Sequence, residues 1–373
     1  LIKQKAMDTL ELKKSLLSTP GDSIQEQIDF IGMSQAELAE RLGRSIPKLN
    51  ELIKGKAPIT KETAAKLEYV LGIDASFWLN LEKYYQEELL EIEQLDFLET
   101  CKSWLKGFPI AELKKMNLLP DTKIKSEIAK ALLKFFRVAS PNEWSTIYEG
   151  ESLAFKIELK HTTDPKAISA WLRIGELQAN QIELKEFDKK KLTEALPIIQ
   201  EIAFNEYDNW KEDLQQVCAS FGVALVYSPC LSKAPIYGAA RWIKNKSLPL
   251  IQLTDRKKDY NAFWFSFYHE LAHIRYHNKS DIFIDGIENI QPDGDKEKEA
   301  DDFAAKMIFN ETLKQKAVNE NLNSVEKQKS FSKENKIHLS ILISQLQRLD
   351  KIAYADYTAN SLKSKVEFDE LVF

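Results

Sequence analysis

The chain has 373 residues, 44% of them hydrophobic, and a formal net charge of −5. That is enough apolar material for two or three domains with separate cores, and the acidic balance argues against indiscriminate nucleic-acid binding while leaving room for a local basic face. No apolar run reaches the length of a membrane span, the first residues lack the apolar stretch of a signal peptide, and Cys101, Cys218 and Cys230 are too far apart to form a redox or metal pair, so a cytoplasmic protein with free thiols is expected.

Residues 1–19 read as a short helix or arm ended by Pro20-Gly21. With no initiator Met, the first few are expected to belong to an upstream start or an added sequence. From Asp22 the pattern becomes compactly helical. Residues 23–31 form one amphipathic helix. Residues 34–42 form a second, with Ser34 as N-cap, Glu37 closing a capping box and Gly43 ending it. Residues 45–54 form a third, capped by Ser45, with Pro47 in the first turn and Gly55 past the end. Two short helices joined by a tight glycine turn make a helix-turn-helix. Between positions 41 and 66, Arg41, Arg44, Lys48, Lys54, Lys56, Lys61 and Lys66 stand against Glu51 and Glu62, a local charge of 7 − 2 = +5 that suits a phosphate backbone.

Met33-Ser-Gln-Ala-Glu-Leu-Ala-Glu-Arg-Leu-Gly43, Ile53-Lys-Gly-Lys56, Pro58-Ile-Thr60, Leu71-Gly72 and Phe77-Trp-Leu-Asn80 resemble the Cro and lambda-repressor-type (XRE) helix-turn-helix family, and within it the HigA-like antitoxin branch, over residues 20–86. The resemblance implies that Gln35 touches phosphate and that the first turns of the 45–54 helix read bases in the major groove. The DNA-facing set is then Gln35, Ser45, Ile46, Pro47, Lys48, Asn50, Glu51, Lys54 and Lys56, in which Ile46, Pro47 and Glu51 replace the usual polar readers. The implied partners are a double-stranded operator, a second copy of the chain in a homodimer, and a cognate toxin.

Residues 87–191 read as a helical connector. Leu, Phe and Trp recur at three-four spacing, with breaks at Gly107-Phe-Pro109 and Pro120-Asp121, and His161 stands alone as a structural or solvated residue. A further domain begins near Leu192. It opens with a helix over 210–221, followed by strands over 223–227, 236–243 and 248–253.

The next helix carries the chemistry. In Phe263-Trp-Phe-Ser-Phe-Tyr-His-Glu-Leu-Ala-His273, the histidines lie four residues apart on one helical face, so both imidazoles can converge on one ion, with Glu270 beside them as general base. The chain holds only 5 histidines, and chance would produce this motif about 0.005 times, so a zinc-peptidase signature is the better explanation. A third ligand must come from elsewhere. Ala300, Phe303, Ala304, Met307 and Ile308 recur at helical spacing, and Glu297 falls within that stripe, which makes it the expected third ligand. Glu299, well off the stripe, is the alternative. Asp301 is placed to hydrogen-bond a ligand histidine. His277 shares the face of His269 and His273 but lies ~12 Å along the axis from His269, too far to share the ion, and reads as a helix-end residue.

His269-Glu-Leu-Ala-His273, the preceding Phe-Trp-Phe run and the Glu297-x-x-Ala-Asp-x-Phe-Ala-Ala305 pattern resemble the ImmA/IrrE family of zinc metallopeptidases. The resemblance implies a gluzincin-like site with two histidines and a glutamate, and substrates that are often helix-turn-helix repressors. It also implies a small sheet whose edge, near residues 236–242, holds the substrate by strand addition. Tyr237 and Arg241 on that sheet are structural, or else polarise the scissile carbonyl. The family usually follows its ligand helix with Leu-Leu-Met-Pro, where this chain has Met307-Ile-Phe-Asn310. Residues 281–285 read as another strand, 286–294 as a loop, and 330–350 as a second helix-turn-helix-like pair in which His338 caps or packs.

The expected fold is mainly α with a small β-sheet. An N-terminal all-α helix-turn-helix domain (20–86) is followed by a helical connector (87–191) and a C-terminal α+β zincin-like metallopeptidase domain (192–373). The expected function is a DNA-binding, antitoxin-like regulator fused to a zinc endopeptidase that cleaves a regulator protein or itself. The rival is a regulator whose second domain serves only as a sensor or partner-binding module.

Overall fold

The computed structural model describes residues 10–149, 164–205, 207–244, 247–285, 294–368, 371 and 373. The expectations for residues 1–9, His161 and the loop 286–293 lie outside the described residues. The described residues are mostly helical with one four-stranded mixed sheet. The chain divides into two compact units, residues 1–103 with 122–130, and residues 104–121 with 131–373.

The first unit contains α1 (Pro20–Ile31), α2 (Gln35–Leu42), α3 (Ile46–Ile53), α4 (Lys61–Leu71) and the long α5 (Ala75–Thr100). Ile24 and Ile28 of α1, Leu38 and Leu42 of α2, Leu49 and Leu52 of α3, Leu67 and Leu71 of α4, and Trp78 of α5 meet in one core, the first four helices each contributing residues spaced by three or four.

The Pro20-Gly21 pair starts α1; it does not end an arm. Thr19 is the N-cap, Asp22 closes a reciprocal capping box, and Pro20 occupies the first turn, where its missing N–H costs nothing. Gly21 is needed for space, since a Cβ there would come within 1.8 Å of the Ile53 carbonyl oxygen at the end of α3. The box expected at Ser34 is only half made. Ser34 Oγ accepts from the Glu37 N–H at 3.2 Å, but the Glu37 carboxylate pairs with Arg41 at 2.7 Å. Ser45 stands at the N-cap of α3 without a side-chain cap bond.

In the second unit, α6 (Ile110–Lys115), part of α7 (Lys125–Phe136) and α8 (Pro141–Tyr148) precede α9 (Pro165–Ala179), α10 (Lys189–Phe204) and α11 (Trp210–Ser220). Strands β1 (Ala224–Tyr227), β2 (Gly238–Ile243) and β3 (Leu248–Leu253) follow, then α12 (Tyr260–Tyr276), β4 (Ile282–Asp285) and α13 (Gly294–Ile308). The sheet order is β1-β3-β2-β4, with β1 parallel to β3 and β2 antiparallel to both neighbours. Alternate residues face opposite sides. Ala224, Val226 and Leu250 pack with Ala179 of α9, while Leu225, Ala240, Ile251 and Leu253 join the main core with Phe263, Trp264, Phe267 and Leu271 of α12.

This topology corrects the expected substrate edge. Residues 238–241 of β2 pair with 282–285 of β4, so β2 is an interior strand and β4 the outer one. The chain leaves α12, turns over residues 277–281 and returns along the side of β2 that β3 does not occupy. Beyond α14 (Glu311–Asn319), α15 (Val325–Glu334) and α16 (Leu339–Arg348) form the expected helix pair. His338 caps α16, accepting from the Ser340 N–H at 3.2 Å, and packs on Tyr260. Cys101 and Cys218 are buried and Cys230 half-buried, and all three are free thiols. Among the described residues no helix is long and apolar enough to cross a membrane.

Candidate functional site

Asp259 caps α12, accepting from the Ala262 N–H at 2.7 Å, and the aromatic residues of the first turns anchor the helix in the core. This fixes the rotation of the following turns, so that His269, Glu270 and His273 are all buried. The Nε2 atoms of His269 and His273 lie 2.9 Å apart. Helix α13 packs along α12 through buried Ala300 and Ala304 and brings in Glu297, whose carboxylate oxygens stand 3.2 Å from His269 Nε2 and 3.7 Å from His273 Nε2. One ligand atom from each of His269, His273 and Glu297 lies within 4.8 Å of the others. Asp301 Oδ1 is 2.9 Å from His269 Nδ1. Glu299 points elsewhere, to His277 Nε2 at 3.1 Å.

Two imidazole nitrogens and a carboxylate converging at one point form a donor set suited to zinc. The acids around His269 shift its ionisation. Burial alone would lower the ring's pKa, but the hydrogen bond to Glu297 and the charges of Glu270, Glu297 and Asp285 outweigh it and push it up to about 9. His273 is driven down to about 2, first by burial and then by the neighbouring positive charges of His269 and Lys296.

Glu270 is fully buried, and neither carboxylate oxygen has a hydrogen-bond partner among the described residues. Burial raises its pKa well above the ordinary carboxylate range. Such a group is costly unless something pairs with it, which fits a carboxylate meant to meet a cation and a water molecule. Gly238 of β2 makes the room, because a Cβ there would come within 2.7 Å of Glu270 Oε1. Phe283 of β4 stacks on His273, centroids 3.7 Å apart and planes at 13°.

Arg241 lies on the opposite face of the sheet. It donates to the Leu172 carbonyl at 2.6 Å and to Gln252 Oε1 at 3.1 Å, which makes it a structural bridge to α9. The Tyr237 ring has Arg256 and Lys257 within 4.9 and 4.2 Å of its centroid. Gly238, Phe283 and the bond between His277 and Glu299 were missed in the sequence. Only Gly238 left a signal there, since a lone glycine in a strand marks close approach by another group.

In the first unit, α3 buries Leu49 and Leu52 and turns Ser45, Ile46, Pro47, Lys48, Glu51 and Lys54 to solvent, with Lys56 exposed just beyond. Gln35 and Asn50 are half-buried, and Gln35 Nε2 donates to Gln25 Oε1 at 2.5 Å. Arg41 and Lys66 are engaged by Glu37 and Glu62, whereas Lys48, Lys54 and Lys56 have no ion pair among the described residues.

This arrangement is that of a DNA-binding helix-turn-helix domain. Residues 31–78 match the Helix-turn-helix family. The chain is similar to the uncharacterized HTH-type transcriptional regulator YddM of Escherichia coli (strain K12), 34% identical over 85 residues, covering 22% of this chain and 90% of that protein. It is also similar to Virulence-associated protein I of Dichelobacter nodosus, 33% identical over 73 residues, covering 19% of this chain and 68% of that protein. Through this domain the chain belongs to the helix-turn-helix family of transcriptional regulators.

Proposed function

We propose that the chain is an operator-binding, antitoxin-like regulator whose second unit is a zinc-dependent endopeptidase of the ImmA/IrrE type. The observation that carries the peptidase reading is the unpartnered, fully buried carboxylate of Glu270 beside the converging His269, His273 and Glu297. Held by those three residues, zinc would polarise the scissile carbonyl and acidify a water molecule. Glu270 takes a proton from the attacking water as its oxygen bonds to the carbonyl carbon, and delivers a proton to the departing amide nitrogen as the C–N bond breaks. Among the described residues β4 pairs only with β2, so its outer side offers backbone groups to an extended substrate segment. The substrate class is a helix-turn-helix regulator protein or another copy of this chain.

The purified chain is expected to carry close to a single zinc ion by elemental analysis, Glu297→Ala to lose it, and Glu270→Gln to keep it. Zinc-loaded protein incubated with a helix-turn-helix repressor, or alone at high concentration, should yield discrete fragments by mass spectrometry, and Glu270→Gln none. Zinc retained without cleavage by the parent would make the second unit a sensor or partner-binding module. No zinc at all would remove the metal reading.

A further inference from the structure

We propose that His277 and Glu299 form an orienting pair that fixes the ring of His273 as a metal ligand, so that α13 supplies the third ligand and the carboxylates that orient both histidines. The proposal rests on the zinc reading above. His269 and His273 turn their Nε2 atoms toward each other and toward Glu297; with zinc held between them, each would present an Nε2 lone pair in place of the proton that His269 shares with Glu297 in the metal-free chain, and would carry its ring proton on Nδ1. His269 Nδ1–H donates to Asp301. His273 Nδ1–H has His277 Nδ1 before it at 2.8 Å. A nitrogen that accepts there is unprotonated, which places the His277 proton on Nε2, where it donates to Glu299 Oε2 at 3.1 Å. The proton positions on all three rings therefore follow from one requirement.

The local backbone is built for this contact. His277 is the C-cap of α12, and its extended backbone (φ −100°, ψ 172°) leaves the helix there. Its side chain is nonetheless only 3% exposed, although the residue ends a helix. Phe283 stacks on His273 and lies 5.2 Å from the His277 ring, so β4 helps to hold both rings. On α13, Glu297, Glu299 and Asp301 each serve a different histidine nitrogen: Glu297 turns to the ligand side, Glu299 to His277 and Asp301 to the far side of His269. Removing such an orienting partner typically weakens metal binding by about 10–100-fold.

The test measures zinc affinity of the full chain by competition with a chromophoric chelator. His277→Phe keeps a ring beside Phe283 but removes the acceptor, and is expected to weaken zinc about 10–100-fold. His277→Gln, which can offer a carbonyl oxygen to His273, should recover part of the loss, and Glu299→Ala should show a smaller weakening. Long-range proton–nitrogen spectra of the zinc-loaded chain report the tautomer directly, and packing alone does not dictate it. Nδ1 unprotonated and Nε2 protonated at His277 is the expected result. Parental affinity in His277→Phe and Glu299→Ala, or a proton on His277 Nδ1, overturns the pair while leaving the zinc centre standing. A parent that binds no zinc overturns both.

Discussion

Glu270 occupies a position that the metal-free chain tolerates at a cost. Burial raises the pKa of its carboxyl, so the folded state holds that proton to higher pH than the unfolded state, which releases it above about pH 4.3. The unfolded state then binds fewer protons than the native state, so the stability of the metal-free protein falls as pH rises from there toward the folded-state pKa. Glu270→Gln removes this titration. In chelator it should melt above the parent at pH 7, with the gap closing toward pH 4, and thermal melts across that range check it. A gap independent of pH would place the effect outside ionisation. Gly238→Ala probes the same group from the sheet. Its Cβ would crowd Glu270 Oε1, so a loss of ~1–3 kcal/mol by denaturant unfolding is expected, with zinc retained and cleavage lost. Of the candidate site, the convergence of His269, Glu270 and His273 was legible because one helix carries them at a spacing fixed by its own geometry. The choice between Glu297 and Glu299 was harder, because both acids meet histidines, Glu297 the pair on α12 and Glu299 the C-cap residue His277.

At the scale of elements, the helices were read well wherever a three-four apolar period ran between a cap and a glycine, as in α2 with Ser34 and Gly43. The start of α1 was misread because Pro20-Gly21 looks like a break until the Ile53 carbonyl is placed against it. The position of β4 was not legible either. Pairing is a relation between segments, and nothing within residues 281–285 says which neighbour they will join or that they close off β2. The expected DNA-binding face, by contrast, is centred on one element, α3, and can be tested there. Lys48 and Lys54 are exposed on or just after α3, so Lys48→Ala with Lys54→Ala should weaken operator binding and reduce its salt slope by ~1.8 if each meets one phosphate. Fluorescence anisotropy against salt concentration gives both quantities. An unchanged slope would remove these lysines from the interface, and Ile46, 49% exposed, would then be the first place to look for what α3 does present.

For the whole molecule, a DNA-binding domain and the proposed metal centre on one chain would have a thermodynamic consequence that does not depend on how the two units are arranged. If the second unit is the proposed endopeptidase, activity without restraint would be harmful, so low basal activity and a signal that raises it are expected. If the signal acts through a single two-state equilibrium that also governs DNA binding, linkage makes the effect reciprocal. Zinc then changes operator affinity by some factor, and operator changes zinc affinity by the same factor, within about 5–150-fold for coupling of ordinary strength. The full chain should therefore bind its operator with different affinity when zinc-loaded and when chelated. Glu270→Gln, which keeps the metal but not the proton transfer, should follow the zinc-loaded parent, because the coupling runs through metal occupancy and not through turnover. Operator titrations in the three states, together with a zinc competition measured with and without operator DNA, provide both sides of the equality. Identical operator affinities in all three states would show two independent modules on one chain, and any control of the peptidase would then have to act on the second unit alone.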